Sequence, residues 1–474
     1  MRGVKYELNS YSFYDRTGIE RHLEKMAARG WLIERLGSIW RYRRAEPKKL
    51  RFSVVYYPDS SEFAPEQPSE GELTFWDYCA QAGWVRAAHR GQMSVFFSGD
   101  ERAVPIDTDA ALQVETLHET MKREQITSYL IISGIALWQL VRVWRGFASD
   151  LTASLAVPSE LFGLCDWLLL MLLSLGELGG YYLWRRRAKR AAEAGQFLPT
   201  RSHPGLQRAI LALVLLGFGV TIFDSSRTER PMLLVGLAGV LLVYAAVQGT
   251  KAVLKRRGAG TGKNKAVTYA VSFALSFALM FGILRAERAG VLRPEPENAT
   301  PYVVEYSGGD TAQYYAYHDA LPLSVQDLKK TDYDRYSCEL SESASALAAQ
   351  TVGKQSMREG DGESNALELS YRVTDVRFAP LFSLCLRSEL SYFQNYTITF
   401  YRTHHPFRNL VFRETDAASW GAERAWRLYN KKDGDWNDTW LLTRGTRIVR
   451  VSGTALSGLG EAQMALIGER LLSI

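Results

Sequence analysis

Five apolar runs in the middle of this 474-residue chain constrain its fold more than any other feature: approximately Ile126–Trp144, Leu161–Trp184, Gln207–Phe223, Met232–Gln248 and Ala266–Leu284. A helix rising about 1.5 Å per residue needs roughly 17–25 mainly apolar residues to cross a hydrocarbon layer about 30 Å thick. Each run satisfies that length and is bounded by charged or turn-forming residues; the first is the weakest, because Gln139 and Arg142 fall inside it. A charged fraction of 23% suits a soluble protein, but the charges gather in the flanks and connections. Met1 to Arg16 has no apolar core of the signal-peptide kind, so insertion is expected to begin with an internal helix.

The connections predict an orientation. Lys and Arg in short loops are retained on the cytoplasmic side. One connection carries Arg185, Arg186, Arg187, Lys189 and Arg190, and another carries Lys251, Lys255, Arg256, Arg257, Lys263 and Lys265. These follow the second and fourth runs, whereas the alternate connections hold only Arg145, or Arg227 with Arg230. The bias puts the N-terminus in the cytoplasm and, five being odd, the C-terminal part outside. A net charge of +6, clustered beside apolar runs, points to membrane lipid as a partner and away from nucleic acid.

Within the second run Asp166 and Glu177 lie eleven residues apart, close to three helical turns, so both carboxyls share a face. Arg142 sits at a depth similar to Asp166 once the first two helices pack antiparallel, which allows an ion pair. Such acids cost a few kcal/mol unless paired or protonated, so Arg142, Asp166 and Glu177 form a candidate polar cluster. Ion coupling in a small transporter is one reading; polar contacts between helices are the more economical one. Gly176, Gly179 and Gly180, and Gly236 with Gly239, favour close helix packing under either reading.

Residues 1–106 contain an internal repeat. Leu23–Trp31 reads LEKMAARGW and Trp76–Trp84 reads WDYCAQAGW, so Gly30-Trp31 and Gly83-Trp84 are equivalent. Each copy places a helix ending at a left-handed Gly cap after a β-prone segment, Tyr6–Tyr14 or Leu50–Tyr57, and two strand-like runs follow. The expectation is a cytoplasmic α+β domain of two tandem β-α-β-β units, with Trp31, Trp40, Trp84 and Phe96 in its core. Residues 107–125 then form a linker helix, capped by Asp107 or Thr108 and continuing into the first span.

The run Phe13-Tyr14-Asp15, Ile19-Glu20, Leu23 to Ala27 and Gly30-Trp31, followed by Tyr78-Cys79, Gly83-Trp84, Phe96-Phe97-Ser98 and Pro105 to Asp109, resembles the DUF2812 family over the first quarter of the chain. Val55 stands where the family pattern has Asp. The resemblance implies a membrane protein of Gram-positive bacteria whose gene neighbours a PadR-type transcriptional regulator, hence a regulatory setting with a protein partner at the cytoplasmic domain. It implies no reaction.

After a linker over residues 285–300, residues 301–474 are expected to form an extracytoplasmic α+β domain. Strands are expected at Tyr302–Tyr306, Ala366–Val373, Tyr392–Tyr401, Trp440–Thr443 and Arg447–Val451, with a short helix at Val325–Lys329 and a final helix at Gly460–Leu472. In an oxidising space Cys338 and Cys385 are a candidate disulfide.

No motif points to catalysis, a cofactor or a metal. GAGTGKN at Gly258–Asn264 has the wrong glycine spacing for a phosphate loop, lacks the hydroxyl residue and follows no strand. His404 and His405 are adjacent, so in a strand they point to opposite faces. No G-x-S-x-G turn occurs. The chain therefore reads as a non-enzymatic regulatory, sensing or accessory membrane protein, with a small transporter or permease component as the alternative. If the transporter reading holds, replacing Asp166 with Asn and Glu177 with Gln abolishes flux.

Overall fold

The computed structural model describes residues 3–225, 230–288, 291, 296, 298–305, 311–331, 334–358, 367–393 and 409–473. The chain divides into two compact units, one of residues 1–138, 166–216 and 232–291, the other of residues 139–165, 217–231 and 292–474.

The first unit opens with β1 (Val4–Leu8), α1 (Arg16–Ala28), β2 (Trp31–Arg35) and β3 (Ile39–Arg44), then β4 (Arg51–Tyr56), α2 (Glu70–Gln81), β5 (Val85–Arg90) and β6 (Met93–Ser98). Each set of strands makes a separate antiparallel sheet, in the orders β1-β3-β2 and β4-β6-β5. Ile19, Leu23 and Met26 recur at helical spacing and bury one face of α1 against Ile33, Trp40, Tyr42 and Val54. The two turns after the helices need the left-handed region, which Gly30 (φ 79°) and Gly83 (φ 81°) supply. Trp40, Trp84 and Phe96 are buried; Trp31 is half-buried, with the Arg44 guanidinium 4.9 Å from its ring centre.

Helix α3 (Ala110–Thr120) starts at Asp109, whose side chain accepts from the amides of Ala111 and Leu112 at 2.8 and 3.2 Å. This corrects the expected cap at Asp107 or Thr108: the Asp107 carboxylate is taken by Arg16 and Gln113. A π-helical turn, Met121–Gln125, joins α3 to α4 (Ile126–Ser149), so residues 110–149 are helical without a break. Val114, Leu117 and Met121 of this helix belong to the same core as α1.

Among the described residues five helices are long and apolar enough to cross a membrane: α4, α6 (Pro158–Glu193), α7 (Pro204–Asp224), α8 (Arg230–Arg256) and α9 (Thr261–Arg288). Their apolar side chains are largely uncovered, Trp138, Leu216, Leu242 and Phe273 among them, as suits a hydrocarbon surrounding. At 36 residues α6 is roughly 54 Å long, so its basic last turns extend past any hydrocarbon layer. Gly239 permits close approach to α9, since a methyl there would come within 2.3 Å of Leu279; Gly176 and Gly179 face open space.

The second unit carries a hairpin of β7 (Ala299–Glu305) and β8 (Thr311–Tyr317), and a seven-stranded antiparallel sheet. Its strands are β9 (Asp334–Ala344), β10 (Ala348–Arg358), β11 (Leu367–Val376), β12 (Leu410–Thr415), β13 (Arg424–Asn430), β14 (Trp436–Arg444) and β15 (Arg447–Ser452), in the order β12-β13-β14-β15-β11-β10-β9. Side chains alternate between two cores. Tyr371, Leu442, Val449 and Val451 pack under α10 (Val325–Leu328) and α12 (Glu461–Leu472), whereas Val376, Leu441 and Ile448 pack under α11 (Phe382–Leu390) and α5 (Leu151–Ala156). The short α5 belongs to the connection between α4 and α6.

Of the strand expected over Tyr392–Tyr401, Tyr392 and Phe393 are helical and the rest lies outside the described residues, as do Arg227, His404, His405 and residues 289–290, 292–295 and 297 of the 285–300 linker, whose first four residues end α9. The candidate disulfide is also corrected: Cys338 and Cys385 are buried and not bridged. Cys338 pairs in register with Gln355 of β10, while Cys385 packs with Ala348, seven residues along the same strand. At about 3.4 Å per residue that offset is on the order of 20 Å, well beyond the roughly 7 Å Cα separation a disulfide tolerates.

Helix α12 meets the segment before β13 at Gly468, where a Cβ would lie 1.8 Å from the Trp420 carbonyl oxygen. Backbone cannot yield there as a flexible side chain does. Gly468→Ala is therefore expected to lower stability by about 1–3 kcal/mol or more, read as a lowered urea midpoint in detergent; an unchanged midpoint contradicts the packing described.

Candidate functional site

In each unit a folded domain grips membrane-flanking connections through buried polar contacts, and the contacts are long-range in sequence. In the first unit the loop before α1 is the hub. Asp15 caps α1 through the Gly18 amide at 3.0 Å and also accepts from the amide of Ser202 at 2.9 Å and from its hydroxyl, in the connection between α6 and α7. Thr17 and Thr200 exchange amide-to-hydroxyl bonds at 2.9 and 3.2 Å. Gln207 of α7 donates to Ser12 at 3.0 Å and to Glu177. Nearby, burial and then the charges of Glu177 and Asp15 push the Tyr14 phenol up to about 12.

The second basic connection is held by the loop after β4. Glu62 accepts from Arg90 at 2.7 Å and Lys251 at 3.1 Å; Asn264, wholly buried, donates to the Phe63 carbonyl at 2.9 Å. The GAGTGKN segment is thus a short turn, Gly258–Gly260, running into the first turn of α9, which Asn264 pegs in place. Burial opposes ionisation of Glu62, but Arg90 and Lys251 outweigh it, holding the carboxyl below its ordinary value. Within the domain Arg16 bonds Glu20 at 2.8 Å and pairs with Asp107. Burial opposes the Arg16 charge, yet the two acids raise its pKa; at Glu20 burial dominates and the carboxyl is raised. Val55 lines a recess of about 300 Å³ beside this trio.

In the second unit the grip falls on the connection between α4 and α6. Glu389, 2% exposed, accepts from Thr152 of α5 at 2.5 Å and from Arg450 of β15 at 2.9 Å. Arg372 of β11 bonds Asp150 at 2.5 Å and lies 3.8 Å from Glu389; Asp150 also caps α5 through the Ala153 amide. Two acids and two guanidiniums are thereby balanced, and Tyr392 lies 3.8 Å beneath the Arg450 guanidinium. Ser345 adds a bond to the Leu155 carbonyl at 2.5 Å. Asp224, at the end of α7, accepts from the Ser159 amide at 2.9 Å, so the connection after α7 belongs to this unit as well.

The first unit therefore contains both connections rich in Lys and Arg together with the N-terminal sheets, and the second contains the two connections poor in them together with the C-terminal sheet. Of the intramembrane residues singled out by sequence, Glu177 meets Gln207, Asp166 has no hydrogen-bond or ion-pair partner among the described residues, and Arg142 bonds Gln139 at 2.9 Å. Among the described residues no side chain bonds both Asp166 and Glu177. Sequence reasoning missed Asp15, Asp150 and Glu389. An Asp preceding a helix is a readable cap signal, but pairing across roughly 190–240 residues has no local signature. Comparison with protein-family models, curated proteins and solved structures gave no match.

Two outcomes follow for stability in detergent. Glu389→Ala leaves the half-buried Arg450 guanidinium without its carboxylate and Arg372 with Asp150 alone, and is expected to cost about 3 kcal/mol, whereas Asp438→Ala, which breaks a half-exposed pair with Arg427, is expected to cost about 1 kcal/mol or less; equal losses in urea unfolding contradict the assignment. Because the Glu62 pKa is depressed on folding, its contribution is full above its unfolded value of about 4.3 and is lost as pH falls through the folded value. The stability gap between native protein and Glu62→Gln should thus close on acidification below about pH 4, and a gap that widens contradicts the pairing.

Proposed function

We propose that this chain is a multi-pass membrane protein of regulatory or sensing type, with the N-terminal domain in the cytoplasm and the C-terminal domain outside, in which the helix of residues 110–149 carries changes from one to the other. That helix is the observation the reading rests on. Its first turns are part of the N-terminal core, its last residue precedes Asp150, and Asp150 with Thr152 is held by Arg372 and Glu389. A continuous helix with each end held by a folded domain is a route by which a displacement at one end reaches the other, and the π-helical turn at Met121–Gln125 is the kind of irregularity that accommodates a register change.

The orientation is supported by the grouping of basic connections with the N-terminal domain. We read β1-α1-β2-β3 and β4-α2-β5-β6 as a duplicated unit of the DUF2812 type, with a protein partner on its surface and a regulatory link to a PadR-type regulator. A transporter that uses both Asp166 and Glu177 gains no support from the contacts of either acid.

Hydrogen exchange on the full chain in lipid nanodiscs tests the coupling. Glu389→Gln is expected to raise exchange over residues 110–125, and inserting Gly-Gly after Gln125 is expected to remove that response. Identical exchange over 110–125 in native and Glu389→Gln protein contradicts transmission through the helix.

A further inference from the structure

At the inner end of α8, the turn between β2 and β3, the strand β5 and the helix enclose a recess of about 630 Å³. Four cations face it, Arg35, Arg90, Lys251 and Lys255, against one acid, Glu62. Four positive charges less one negative leave an excess of three in the lining, which the nearby Glu66, whose charge also acts on Lys255, reduces to two. Glu62 is already shared by Arg90 and Lys251, and neither Arg35 nor Lys255 has an ion-pair partner among the described residues. Like charges held this close repel unless an anion sits among them. The turn is shaped to keep them there: a side chain at Gly37 would come within 2.5 Å of the Arg90 guanidinium.

The surroundings are amphipathic. Tyr244 and Gln248 of α8 line the recess, and Ile39 and Tyr244 are exposed apolar groups at its margin. Tyr at the end of a membrane helix favours the headgroup layer. Basic recesses beside membrane helices suit phosphate headgroups. Arg adds planar, charge-assisted hydrogen bonds to phosphate oxygens that a solvated lysine patch lacks.

We propose that this recess binds a phosphate group, seated between Arg35 and Lys255, with the remainder of the ligand lying along Tyr244 and Ile39. An anionic phospholipid headgroup and a free phosphate share that chemistry. The lipid source rests on the membrane reading; the phosphate site does not depend on signalling through residues 110–149, so hydrogen exchange there can fail while this site stands.

The test uses the full chain, delipidated in a neutral detergent and titrated separately with phosphatidylglycerol, phosphatidylcholine and inorganic phosphate, with bound ligand counted by native mass spectrometry. Phosphatidylglycerol or inorganic phosphate is expected to bind at least about tenfold more tightly than phosphatidylcholine, the loss of one charge-assisted contact being worth about that factor. Binding by phosphatidylglycerol alone identifies a lipid headgroup, and binding by both identifies the phosphate itself. Arg35→Gln with Lys255→Gln is expected to erase the preference, whereas Arg256→Gln with Arg257→Gln, equal in charge and outside the recess, leaves it. Arg35→Gln alone, at an exposed position, gives a partial loss and guards against misfolding of the double variant. Equal binding of the two lipids together with no binding of inorganic phosphate, or equal effects of the two double variants, overturns the proposal.

Discussion

Charged side chains are costly to move through hydrocarbon, and most of this protein's organisation follows from that cost. Twelve Lys and Arg residues lie in two connections, after the second and fourth apolar runs. Both connections are gripped by the N-terminal domain, through Asp15 and Thr17 on one and through Glu62 and Phe63 on the other. The two connections poor in cations belong with the C-terminal sheet. Basic loops fixed on one side constrain where every helix between them begins and ends.

The two gripping networks differ in physical character. In the first unit most contacts are neutral-to-charged or backbone-to-side-chain bonds spread over several short segments, so no single one dominates. The second unit concentrates its hold on Glu389, a nearly inaccessible carboxylate with Thr152 and two guanidiniums around it. Such a balanced quartet adds little net stability over an apolar packing of similar volume, but it is intolerant of losing one member. That intolerance makes it a sharp determinant of where α5 and Asp150, next to the end of α4, sit.

The five apolar helices were legible because length and hydropathy are local properties, and so were Gly30 and Gly83, whose turn geometry leaves few other residues. The final helix and β14 and β15 also followed from periodicity. Strands β9, β10, β12 and β13 did not: their runs are polar or mixed, such as DRYSCELSESA in β9, and they are held by pairing with neighbours. Spacing offers Asp107 or Thr108 as the cap, yet Arg16, some ninety residues earlier, competes for Asp107, and capping falls to Asp109. A shared domain makes Cys338 and Cys385 a candidate pair, and the strand register is what separates them. The gripping residues depend on contacts that no sequence window contains.

Site-directed thiol labelling tests the central claim, that the basic connections and the N-terminal domain share the cytoplasmic side. With the exposed Cys165 changed to Ser and the three buried cysteines left in place, one exposed cysteine at a time, Asp77→Cys or Asp433→Cys, is treated in intact cells with a membrane-impermeant maleimide, the parent without either as the blank. The account predicts labelling at position 433 in intact cells and at position 77 only after permeabilisation. Labelling at 77 in intact cells, or equal behaviour of the two positions, contradicts it.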